Sequence, residues 1–191
     1  METVFCMLGG EARGKTRRRA EVWLSLGCNV AGPWGSCAQT LARALAELEA
    51  HDLQIVARSR IYKTRPVGLT QQPAFLNAVV GLAGSIAPGT LLRLAKRIER
   101  QAGRRGIGPR GGPRPLDIDV LDFHGRQIGR PGPQRRPGQL LLPHPELTRR
   151  GFVLVPLAQA APGWRHPRLR LGARALLKRN PGLGRGVEAF D

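Results

Sequence analysis

Between Glu21 and Gly27 the sequence EVWLSLG is apolar at most positions and closes on glycine, which predicts a buried strand. In the stretch PWGSCAQTLARALAELEA that follows, Cys37, Leu41, Ala44, Leu45 and Leu48 recur at helical spacing, with Pro33 suited to the first turn. The segments LQIVARSRIYKT and AFLNAVVGLAGS read as two further strands joined by the turn-rich RPVGLTQQP. A second helix opens at Pro88, carries an apolar stripe of Leu91, Ala95, Ile98 and Ala102, and stops at Gly103. After a glycine-rich loop, LDIDVLDF supplies the last strand of the pattern. The order strand, helix, strand, strand, helix, strand predicts an α+β fold: a ferredoxin-like βαββαβ sandwich, an antiparallel sheet with helices on one face and C-terminal additions. RGFVLVPLAQAAP is expected to hold a short buried helix.

This pattern fills residues 21–167, leaving a basic extension without expected order at 1–20 and a basic, weakly patterned tail at 168–191. RPGPQRRPG, at 130–138, reads as a basic proline- and glycine-rich loop. A chain of 191 residues is the size of one domain. Charge changes the picture more: 31 lysines and arginines against 13 acids give a net charge of +18, carried mostly by arginine. The planar guanidinium fork matches phosphate oxygens, so polyphosphate and nucleic acid are the first partners to weigh. Cys6, Cys28 and Cys37 are odd in number and fit no metal spacing, so neither a disulfide framework nor a zinc site is expected. The apolar run TVFCML is too short for a signal or a membrane span, and the expectation is a soluble, cytoplasmic monomer without a membrane partner.

Two motifs carry chemistry. Alternation along LDIDVLDF points Asp117 and Asp119 to one face while Leu116, Ile118 and Val120 point to the core. Carboxylates about 7 Å apart along a strand converge on one cation, and oxygen ligands with room for water and phosphate suit Mg²⁺. Pairing with the arginines just upstream, at 104, 105, 110 and 114, is the alternative. The second motif, GGEARGKT at Gly9–Thr16, satisfies the P-loop pattern and would make the chain a P-loop kinase or ATPase. It runs into RRRAEVWLSLG, a strand pattern, where a phosphate-binding loop needs a helix N-terminus. A ferredoxin-like RNA-binding module is a third reading, but AFLNAVVGL lacks the aromatic pattern that stacks bases, and no specific nucleic acid is expected.

From about Val22 to His166 the chain resembles the 6-hydroxymethyl-7,8-dihydropterin pyrophosphokinase family. The resemblance lies in LSLGCNVAGP, SRIYKTRPVGLTQQPAFLNAVV, RIERQAGR, GPRPLDIDVL and LLLPHPELTRRGFVLVPLAQAAP, in that order. It implies transfer of pyrophosphate from ATP to 6-hydroxymethyl-7,8-dihydropterin, yielding AMP and the pterin diphosphate in folate biosynthesis. On that basis Asp117 and Asp119 hold two Mg²⁺ ions, and Arg104 and Arg114 close over the reacting phosphates. Arg110, His144 and Arg150 contact the nucleotide. Asn77 reads the pterin edge, Phe75 and Phe152 sandwich its ring, and Thr64, Pro66 and Val67 line the same pocket. Glu99 either orients Arg104 or forms a helix-surface ion pair. Two departures stand out: Cys28 replaces a common serine, and Gly111 stands where many members carry tryptophan.

Overall fold

The computed structural model describes residues 20–105, 111–130 and 139–190. Strand β1, Val22–Cys28, is buried at all seven positions because it runs between two neighbours with both sheet faces covered, so its sequence shows little alternation. Helix α1, Cys37–Glu49, starts later than its proline suggests. Ser36 caps it: the Gln39 amide donates to Ser36 Oγ and the Ser36 amide donates to Gln39 Oε1 at 2.8 Å. Pro33 sits instead in the turn closed by reciprocal hydrogen bonds between Gly32 and Gly35.

The single strand expected over LQIVARSRIYKT is two, β2 at Gln54–Arg58 and β3 at Tyr62–Thr64. Both pair antiparallel with β4, Phe75–Ala83. Between them Ser59 holds on to β4 twice, its amide donating to the Val79 carbonyl and its Oγ accepting from the Val79 amide. Helix α2, Pro88–Gln101, begins at its proline, and Gly103 past its end has φ +100°. Strand β5, Asp117–Phe123, completes the order β5-β1-β4-β3, with every neighbour antiparallel, the ferredoxin-like arrangement expected.

Alternation then divides the molecule. Val22, Leu24, Leu26, Val80, Leu82, Ile118 and Val120 join the core under α1 and α2. On the other face Trp23, Val79 and Leu121 pack beneath α3, Gly151–Ala160, and α4, Ala173–Arg179. Helices therefore cover both faces, where the sequence pattern predicts one. Residues 168–190 are not an unpatterned tail: α4 buries Ala173 and Leu176, and β6, Val187–Ala189, adds to the sheet beside β3. Elements of seven and three residues are too short to show a period, and β6 gains its order from pairing rather than from its own side chains.

Cys28 ends β1, Cys37 begins α1, and the two form a disulfide with Cα atoms 5.4 Å apart, contrary to the expectation from cysteine spacing. The strand-to-helix turn brings them together, which an odd count in the sequence could not reveal. The Gly9–Thr16 motif, Arg110 and most of the 130–138 loop lie outside the described residues.

Candidate active site

The α3 face of the sheet is only half covered by helix. Ser25 and Gly27 of β1, Phe75 and Asn77 of β4, Thr64 of β3, and Asp117 and Asp119 of β5 floor a cavity of about 530 Å³. The register places Gly27 between Asn77 and Asp117, and Ser25 beside Asp119. Small residues on the central strand leave the room that the flanking strands line. A Cβ added at Gly27 would lie 2.9 Å from Asn77 Oδ1, so only glycine leaves that oxygen open to the cavity.

One end is charged. Asp117 accepts from Arg104 through one oxygen and from Arg114 Nη1 through the other at 2.7 Å. Asp119 accepts from Arg150 Nη1 at 2.7 Å. Burial pushes the Asp117 carboxyl up, but the Arg104 and Arg114 guanidiniums outweigh it and hold the group below the usual carboxylate range. Thus the sequence's alternative, arginine pairing, describes this chain as it stands. Two carboxylates, a quarter exposed and aimed into a cavity, also fit a hard cation that keeps most of its coordination for water and phosphate. Among the described residues no cluster of three His, Cys, Asp or Glu side chains forms a protein-only cage.

Glu99 is no surface residue. It is 2% exposed, and its Oε1 accepts from the Ile118 amide at 2.8 Å and from Lys96 Nζ at 2.7 Å, and forms an ion pair with Arg104 Nη1 at 2.9 Å. One carboxylate thereby ties α2 to β5 and aims Arg104 at Asp117. Burial pushes the Glu99 carboxyl up despite the opposing pull of Lys96 and Arg104. His144 Nδ1 accepts from the Glu146 amide, which leaves the proton on Nε2, 3.8 Å from Asp119 Oδ2 and beyond hydrogen-bonding reach. Burial lowers the His144 pKa, with Arg150 adding to the effect and Asp119 opposing it.

The other end is apolar and shaped. Asn77, 3% exposed, donates from Nδ2 to Thr64 Oγ1 at 2.8 Å, which fixes its amide orientation. Phe75 and Phe152 both line this end, and the Arg150 guanidinium lies 5.7 Å from the Phe152 ring centroid. Pro66 and Val67 complete the rim, Val67 being largely exposed. All the described residues proposed for phosphate, cation and pterin contact thus gather around this one cavity, with Arg104 and His144 behind the aspartates.

Sequence reasoning missed Asn29. Its Oδ1 accepts from the Arg114 amide at 2.8 Å, and its Nδ2 donates to Gln72 Oε1 and to the Pro73 carbonyl. Gln72 in turn donates to the Gly111 carbonyl at 2.8 Å. One buried amide therefore ties both substrate-side loops to the end of β1. Its position lies in LSLGCNVAGP, one of the segments that carry the family resemblance, but nothing local to that segment shows its partners. Arg65, Arg149 and Arg185 also line the cavity without any prior signal.

Residues 23–162 match the family model for 7,8-dihydro-6-hydroxymethylpterin-pyrophosphokinase. A 2-amino-4-hydroxy-6-hydroxymethyldihydropteridine pyrophosphokinase of Porphyromonas gingivalis is 37% identical over 150 residues, covering 78% of this chain and 95% of its own. The folate synthesis bifunctional protein of Arabidopsis thaliana is 36% identical over 137 residues, 72% of this chain, which spans only 26% of that protein. The crystal structure of wild-type Plasmodium falciparum HPPK-DHPS with pteroate superposes with a TM-score of 0.63 at 15% identity, over 88% of this chain and 45% of that one, a likeness of fold.

Proposed function

The chain belongs to the 7,8-dihydro-6-hydroxymethylpterin-pyrophosphokinase family, and from that premise we propose that it transfers pyrophosphate from ATP to 6-hydroxymethyl-7,8-dihydropterin. AMP and the pterin diphosphate are the products. The observation that carries this reading is the cavity itself, lined by paired aspartates among arginines at one end and by a fixed amide and two phenylalanines at the other.

Asn77 presents Oδ1 to the acceptor because Thr64 occupies its Nδ2, so it accepts hydrogen bonds from N–H groups on a heterocycle edge. Phe75 and Phe152 supply flat apolar contact for the ring. At the charged end Asp117 and Asp119 would hold two Mg²⁺ ions, which when bound neutralise the polyphosphate and polarise its oxygens. Arg104, Arg114 and Arg150, released from the carboxylates, then face the phosphates directly. His144, kept neutral by burial, offers its Nε2 proton to a phosphate oxygen.

In the reaction the hydroxymethyl oxygen forms a bond to the β-phosphorus as the bond from that phosphorus to the α,β-bridging oxygen breaks. The hydroxyl proton passes to solvent and AMP departs. No protein nucleophile is required; the chain positions two substrates and stabilises charge. Phosphorus NMR during turnover tests the proposal: AMP and a pterin diphosphate should appear in equal amounts. Formation of ADP with a pterin monophosphate would overturn it.

A further inference from the structure

The cavity is not built from the family-matched residues alone. That match ends at residue 162, yet Leu183, Arg185 and Val187 line the cavity. These residues belong to a strap, 180–190, anchored at both sides. On one side β6 pairs with β3 in register, Val187 opposite Thr64 and Glu188 opposite Lys63, and the Phe190 amide donates to the Ile61 carbonyl at 2.9 Å. On the other side the strap's backbone presses on the first residue of α3: a Cβ added at Gly151 would fall 1.5 Å from the Leu183 carbonyl oxygen. Leu183 itself packs against the core beneath α3.

The strap thus spans the two elements that carry Thr64 and Phe152. Residues opposite each other in an antiparallel pair share a face, so Val187 flanks Thr64 on the cavity side. Without β6, β3 would be the edge of the sheet, with unpaired amides and carbonyls beside the acceptor end. Beside Thr64 the covering residues, Gly186 and Val187, are glycine and apolar, suited to a flat heterocycle, while the strap's one charged lining residue is Arg185. The carboxylates and arginines of the charged end make none of the strap's backbone contacts.

Resting on the function proposed above, we infer that residues 180–190 form a wall of the acceptor subsite and that Val187 sets how tightly the pterin is held. ATP binding is independent of Val187, which pairs with Thr64 and not with the charged end.

The test compares the full chain with Val187→Glu and with a chain ending at Asn180. Three quantities are measured: binding of oxidised 6-hydroxymethylpterin by its own fluorescence, KM for each substrate, and amide hydrogen exchange at Lys63, the β3 amide that faces β6. Both variants should bind the pterin about tenfold or more weakly, the scale of one apolar contact in a specificity pocket. KM for ATP should stay within about twofold in Val187→Glu, and the truncated chain, which also lacks Arg185, should lose protection at β3. Val187→Glu decides the matter if the truncated chain does not fold, because Val187 is only partly buried. Unchanged pterin affinity in the folded variants, or an equal rise in both KM values in Val187→Glu, overturns the inference while leaving the proposed function standing. Absence of pterin binding to the unmodified chain overturns both.

Discussion

Asp119→Asn separates a catalytic role for the carboxylate pair from a structural one. The change removes one charge, keeps the shape, and leaves Arg150 without its 2.7 Å partner. Asp119 and Arg150 side chains are 25% and 30% exposed, so water reaches both groups and the lost pair should cost no more than about 1 kcal/mol. For a domain of this size that lowers Tm by about 2–4 °C. Loss of a preorganised electrostatic group from the reaction centre costs far more, about 3–4 kcal/mol, or a rate roughly 10²–10³ lower. Asp119 does not touch Asn77 or Thr64, so pterin affinity should be unchanged within about twofold. Differential scanning fluorimetry, pterin binding, and AMP release over a Mg²⁺ titration on the same variant give all three numbers. A Tm drop well beyond 4 °C with a nearly normal rate would show that Asp119 serves the fold and would refute the reasoning.

Four further outcomes follow from the same geometry. Glu99→Gln keeps the Ile118 hydrogen bond but loses the charge that aims Arg104, so urea denaturation should show a loss of about 1–3 kcal/mol together with slower turnover. Gly27→Ala places a methyl group 2.9 Å from Asn77 Oδ1 and should raise KM for the pterin about tenfold or more with little effect on KM for ATP. His166 is buried, and burial lowers its pKa; its Nδ1 accepts from the Arg168 and Leu169 amides. Below about pH 6.5 the unfolded chain takes up a proton that folded His166 refuses, so stability falls with pH there, and His166→Asn should flatten the fall in thermal melts. Lys15→Ala should leave AMP release within about threefold, whereas a P-loop enzyme would lose activity.

Much of the fold was legible because its central strands and helices are long enough to carry a period. Leu91, Ala95, Ile98 and Ala102 mark α2, and the run from Asp117 to Phe123 marks β5. What stayed hidden depends on contacts distant in sequence. Ser59 divides one apparent strand because it bonds Val79, twenty residues on, and β6 exists because β3 accepts it. The aspartate pair was visible from alternation alone, whereas Asn29 acts through Gln72, Pro73 and Arg114, partners that only the folded chain brings near. Glu99 was ambiguous for a related reason. Its helix position says which way it points, but only the packing of α2 on β5 shows that it is sealed from water.

The strongly basic composition finds a local meaning in the same cavity. Arg104, Arg114 and Arg150 meet Asp117 and Asp119 there as ion pairs rather than standing as a bare cluster of like charges. A carboxylate facing a cavity without a partner would have its pKa pushed up by burial and would tend to bind a proton instead of a cation; Arg104 and Arg114 prevent that at Asp117. Arg114 and Arg150 gain as much from the arrangement, being held at the cavity wall instead of extended into solvent. On the proposed function, a polyanion entering with its cations would let carboxylate and guanidinium exchange partners without either being left unpaired in a partly buried place, which is the costly state. Two carboxylates among so many arginines are therefore what holds Arg104, Arg114 and Arg150 in order, the arrangement that the proposed phosphate binding needs.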